Sequence, residues 1–168
     1  MFRACIVITI VLMGCVEESP PSPPPEMSLS FLPGVFTSTN DYYRADIDAR
    51  IPDSTSLNAC RAAYNGRYTD QLKAALVASL VQKAIQFGSS ETEIRGCLNA
   101  TGELRPGVIS LPYRAERAKY YGTQCWILEF AWGASIAGMQ EFKCYVMDAG
   151  TFNPRLILTS VGPVPLQH

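Results

Sequence analysis

The spacing of apolar residues changes once along this chain, and that change limits the fold more than any other feature. Over Gln71–Phe87 the spacing is helical: Leu76, Val77, Leu80, Val81, Ala84 and Ile85 share one broad arc, with Ser79, Gln82, Lys83 and Gln86 opposite. Over Gln124–Trp132 the period is two, with Trp126, Leu128, Phe130 and Trp132 pointing one way. Thr69 offers a hydroxyl to cap the helix and Gly88 ends it. Ser89 or Ser90, followed by Glu91 and Glu93, predicts a second, shorter helix to Leu98. Val108–Tyr113, Gln124–Trp132, Glu141–Asp148 and Arg155–Val161 read as strands, with Ala115–Tyr121 continuing the first or starting a bent neighbour. Helix before strands means α+β, with one long helix packed on a three- to four-stranded antiparallel meander. Residues 27–58 carry weak periodicity: Ser28–Leu32 and Val35–Phe36 are short strand fragments between turns.

The other end of the chain reads as an address. Arg3 precedes an apolar run, Ala4–Met13, which is the length of an export signal and too short to span a bilayer. It closes on Leu12-Met13-Gly14-Cys15. This ending resembles the lipobox of bacterial lipoproteins, which implies cleavage before Cys15, a diacylglycerol on its thiol and a further acyl chain on its new amino group. Val16, rather than Asp, resembles outer-membrane sorting. Val16–Glu26 follows, with prolines at 20, 21, 23, 24 and 25. Such a run prefers an extended polyproline conformation of about 3.1 Å per residue, a spacer on the order of 30 Å. The expected organisation is therefore a signal over 1–14, a lipid-anchored linker over 15–26 and one domain over 27–168. The partners this implies are a membrane, through the lipid, and an envelope protein or polysaccharide.

Of the six cysteines, Cys5 leaves with the signal and Cys15 takes lipid, so Cys60, Cys97, Cys125 and Cys144 remain. An even number outside the cytoplasm predicts two disulfides. A tight turn within Gly133–Ile136 would set Cys125 opposite Cys144 and leave Cys60 for Cys97, a bridge clipping the helical segment at both ends.

A long helix followed by a meander is similar to the cystatin-like architecture. Ala115–Leu128 (AERAKYYGTQCWIL) resembles the region around the first inhibitory hairpin of cystatins, with Gly122-Thr123 between two strands and Trp126 soon after. The Gln-x-Val-x-Gly motif is absent, and Lys119, Tyr121 and Gly122 stand in its place. The resemblance implies a secreted hydrolase inhibitor acting through the Gly122-containing hairpin.

Several chemistries lack their residues. The only histidine is the terminal His168, which removes Ser-His and Cys-His catalysis and a Cys/His zinc site. Net charge is −1, and −2 once Arg3 is cleaved off, which lacks the basic face a nucleic-acid partner needs. No cofactor or metal motif is present. Glu129 and Glu141 fall on opposite faces of neighbouring strands, and with Asp148 read as solvated or edge charges. Tyr113, Arg117, Lys119 and Tyr121 share strand parity and form the candidate binding face. The expectation is a non-enzymatic cell-envelope lipoprotein, the alternative being the inhibitor.

Overall fold

The computed structural model describes residues 28–49, 54–133, 139 and 141–160; Cys15, the proline run and His168 lie outside them. Among the described residues the order is β1 (Gly34–Tyr42), α1 (Arg44–Asp48), α2 (Ser54–Tyr64), α3 (Asp70–Gln86), α4 (Glu91–Ala100), β2 (Ser110–Tyr120), β3 (Thr123–Trp132), β4 (Glu141–Asp148) and β5 (Pro154–Ser160). The class is α+β. The strands form one five-stranded sheet in the order β1-β2-β3-β4-β5. β2 to β5 run antiparallel, as the alternating pattern predicts, but β1 joins β2 in parallel, so the sheet is mixed and not a pure meander. A parallel neighbour needs a crossover, and α1–α4 supply it.

Both faces of the sheet are covered. Cys125, Ile127 and Ala131 point to one side, where they pack with Leu57, Cys60 and Tyr64 of α2. Trp126, Leu128 and Phe130 point to the other, against Leu80, Val81 and Ala84 of α3 and Ile94, Cys97 and Leu98 of α4. α3 also gives Leu72 and Leu76 to the first core. Its start is as the sequence predicts: the Thr69 hydroxyl accepts from Leu72 N at 3.0 Å. Gly88, at φ +85°, ends the helix in a conformation glycine adopts without penalty. The Ser90 hydroxyl caps α4 through Glu93 N at 3.1 Å.

The predicted disulfides are corrected. Cys60, Cys97, Cys125 and Cys144 are all buried and no bridge joins any two of them. Trp132 pairs with Glu141, so the β3–β4 connection is longer than a tight turn, and Cys125 lies opposite Asp148 while Cys144 lies opposite Glu129. Cys60 belongs to the α2 core and Cys97 to the α4 core, on opposite sides of the sheet.

The two ends of the sheet differ. One end carries the β2–β3 turn, the end of β1 and the β4–β5 turn, tied by Ala149 N donating to Gln124 O at 3.0 Å. At the other end Met139 N donates to Asn65 Oδ1 at 3.2 Å and Arg61 Nε to Met139 O at 2.6 Å. The first described residues enter there too: Tyr64 hydroxyl donates to Phe31 O at 2.9 Å and accepts Phe31 N at 3.1 Å.

Candidate functional site

The candidate face of Tyr113, Arg117, Lys119 and Tyr121 does not exist as one surface. Pro112 brings no N–H to the ladder, and the pairing of β2 with β3 shifts register between Pro112 and Arg114. That bulge turns Tyr113 to the opposite side from Arg117 and Lys119. Tyr113 is fully buried beside Glu129; burial, and then that carboxylate, hold its phenol well above the ordinary range. Arg117 is engaged by Glu93, with Nε at 2.9 Å and Nη2 at 3.4 Å from its carboxylate. The same Glu93 Oε1 accepts Trp126 Nε1 at 2.8 Å. Lys119 is exposed, and Tyr121 stands in the turn.

Around Tyr121 the chain builds a tyrosine tip. Tyr120 pairs with Thr123, leaving Tyr121 and Gly122 as a two-residue turn, at φ +50° and +75°. Two successive positive φ values suit the twist of a hairpin and favour Asn or Gly at the first place. Tyrosine there is strained by about 1 kcal/mol or more. Three contacts hold the turn. Tyr121 N donates to Tyr42 O at 3.1 Å, Gly122 N donates to both carboxylate oxygens of Asp41 at 2.9 and 3.1 Å, and the Tyr121 hydroxyl accepts Arg44 N at 3.3 Å. The ring stands edge-on to Tyr43 at 5.1 Å and 85°, and to Tyr120 at 4.7 Å and 88°. Tyr120 is buried, whereas Tyr43 and Tyr121 remain 52% and 53% exposed. Tyr43 is where the sequence showed only a turn; the consecutive tyrosines at 42–43 and 120–121 were the available signal.

The charged groups elsewhere act inside the fold. Glu129, expected to be solvated, is 1% exposed. It lies 3.8 Å from Arg114, whose other terminal nitrogen is 3.5 Å from Glu116. Tyr42 hydroxyl donates to Glu116 at 2.9 Å, and the Phe36 ring stacks over Arg114 at 5.1 Å. Glu141 pairs with Trp132 and so faces away from Glu129, in keeping with the sequence reading. Asp148 organises the β4–β5 turn by accepting Gly150 N and Thr151 N at 3.0 Å each, with Arg155 at 3.0 Å on its second oxygen. The bond from Thr151 is the largest reason its carboxyl sits below the usual range.

A cavity of about 250 Å³ opens beside α3, with Lys73, Val77, Arg95 and Leu104 in its wall. Its lysine is taken up by structure: Lys73 Nζ donates to the carbonyls of Glu103, Arg105 and Val108 at 3.0, 2.9 and 2.7 Å, and burial lowers its pKa. Glu103 in turn accepts Lys143 Nζ at 2.9 Å and the Tyr145 hydroxyl at 2.5 Å. Burial pushes the thiols of Cys60 and Cys97 up to about 12 and that of Cys125 up to about 11, the opposite of what a thiolate nucleophile needs. Among the described residues no group of His, Cys, Asp or Glu is arranged to hold a metal, and no helix is long and apolar enough to cross a membrane. Comparison with protein-family models, with curated proteins and with solved structures found no match.

Proposed function

We propose that this chain is a cell-envelope lipoprotein, acylated at Cys15 and sorted to the outer membrane, whose domain works by binding another envelope component through the tyrosine tip. The observation that carries the reading is Tyr121 itself. A bulky residue held at positive φ, where Asn or Gly would relax, is left half exposed with Tyr43 despite its contacts with Tyr120 and Arg44 N. Rigid, amphipathic tyrosines supply large contact area at low entropic cost, which is why they concentrate in contact surfaces. The lipid rests on Leu12-Met13-Gly14-Cys15, and the outer-membrane location on that motif together with Val16.

The inhibitor reading shares this hairpin and keeps one point in its favour, the exposure of the Tyr121–Gly122 turn at the sheet's end. Capture from solubilised envelope by the mature protein, compared with Tyr43→Ala and Tyr121→Ala, tests the first reading: specific capture should fall at least tenfold in each. Equal capture by all three would defeat it. Inhibition of a hydrolase panel that disappears in Tyr121→Ala would favour the second.

A further inference from the structure

We infer that β5 is a seam along which two copies of this chain pair, antiparallel and about a two-fold axis through Ile157. The pairing goes beyond the proposed function and needs neither the lipid nor the tyrosine tip. The two edges of the sheet are built differently. A strand edge offers its outward N–H and C=O groups to any other strand, and edges that must stay single are blunted with charge, proline or a bulge. β1 is blunted. Its pairing with β2 breaks between Thr37 and Asp41, the Ser38 hydroxyl draws in Asn40 N at 3.0 Å, and Asp41 adds a carboxylate. β5 is not. Its proline, Pro154, stands at the very start, and Arg155 is turned back onto Asp148 of β4 at 3.0 Å. Leu156–Ser160 carries no charge, proline or glycine. This stretch keeps regular register with β4, from Leu156 opposite Val146 to Ser160 opposite Phe142. Among the described residues no strand lies beyond β5, and Ile157 is 51% exposed.

The order of residues in β5 selects a second β5 as the occupant. Leu156 is buried and Leu158 packs partly against the core on the α2 side, so both point one way and Ile157 the other. Directly opposite residues of an antiparallel pair lie on one side of the sheet. With the axis through Ile157, Leu156 stands opposite the second copy's Leu158, Ile157 opposite its own counterpart, and Arg155 opposite the second copy's Thr159. The leucines then extend the core on one side, the two β-branched isoleucines cover each other on the other, and no like charges meet. Other registers fit worse. An axis through Leu156 sets Pro154 against a leucine and Arg155 against Ile157. An axis through Leu158 sets Ile157 against Thr159 and leaves Arg155 without a partner on the strand. The apolar pattern therefore fixes the register. Seven residues at about 3.3 Å each make a seam on the order of 20 Å long, less than a permanent interface needs, so the pairing is reversible.

The experiment places single cysteines on β5 of the full-length protein in its own cells, with the wild type as control for the native thiols. Cβ atoms directly opposite each other lie about 4.5–5.5 Å apart, outside the usual separation of bridged pairs by so little that side-chain rotation closes a disulfide. Two copies of Arg155, four positions apart along the seam, stand about 13 Å from each other. Mild oxidation should therefore link Ile157→Cys into a homodimer. Arg155→Cys or Thr159→Cys alone should give at least tenfold less, and the two co-expressed should link to each other. A second measurement is sedimentation equilibrium of the detergent-solubilised full chain. Ile157→Lys sets two ammonium groups face to face at an exposed position and should weaken self-association at least tenfold with the melting temperature unchanged, whereas Ile157→Val should keep it. The cysteine series decides the matter by itself where the lysine variant melts early. No Ile157→Cys homodimer, a link only to a different protein, or self-linking as strong at Arg155→Cys and Thr159→Cys would overturn the inference. So would a folded Ile157→Lys that associates as the wild type does.

Discussion

The interior of the β2–β3 ribbon and its tip are built from the same residue types put to opposite uses. Inside, Tyr113 is fully buried, Arg114 faces Glu116 and Glu129, and Arg117 is held by Glu93. At the tip, a few residues along, Tyr121 and Tyr43 stand half exposed in a turn that strains one of them. A tyrosine–arginine cluster in a sequence is thus no evidence of a contact surface until the pleat is known. One bulged residue decides which side chains face solvent and which are locked into the fold.

Substitutions should divide along the same line. The largest contrast is chemical. The four domain thiols should resist alkylation in the native protein at pH 8 and all react once it is unfolded, with no mass change on reduction. A loss of about 4 Da in the purified mature domain, restored by reductant, would reinstate the disulfides and undo the pairing of Cys125 with Asp148 and of Cys144 with Glu129. Next, Arg114→Ala removes the guanidinium that two buried carboxylates face and should cost about 3 kcal/mol in denaturant unfolding. Glu93→Ala strands the buried Trp126 N–H and frees Arg117, for about 2 kcal/mol. Neither loss should alter partner capture by the fraction still folded.

Asp148 lies between the two regions. Its carboxyl is depressed by Thr151 N first, with Gly150 N and Arg155 also lowering it against the opposing effect of burial. A depressed carboxyl stabilises fully above its unfolded value near pH 4, and that contribution is lost as pH falls through the lower native value. Asp148→Ala should therefore cost about 1 kcal/mol at pH 7 and much less at pH 2, as read by melting curves at both. An equal cost at both pH values would assign the effect to packing.

What the sequence made legible was whatever had a local cause. Thr69, Ser90 and Gly88 announce the ends of α3 and α4, and the alternation from Trp126 to Trp132 orients β3. β1 was hidden because it lies at the sheet edge: of Gly34–Tyr42 only Val35 is buried, so almost no alternation survives. α2 left a trace in Leu57, Cys60 and Tyr64, spaced for one helical face, yet its Ser, Thr and Asn content pointed to loop. Pro112 was the mark of the bulge that splits the candidate face, since a proline inside a paired strand demands one. The tip itself needs two segments far apart in the chain, and no single stretch encodes that meeting of Tyr43 with Tyr121.

The smallest expected change in stability therefore carries the most weight. Tyr121→Asn relieves left-handed strain of about 1 kcal/mol and removes two half-exposed ring contacts worth about 0.5 kcal/mol each. Unfolding free energy and partner capture should be measured on the same Tyr121→Asn preparation. Stability is expected within about 1 kcal/mol of the wild type, with capture reduced at least tenfold. Capture at the wild-type level, or a stability loss as large as that of Arg114→Ala, would make Tyr121 one more interior residue and contradict the claim that this tip exists to be touched.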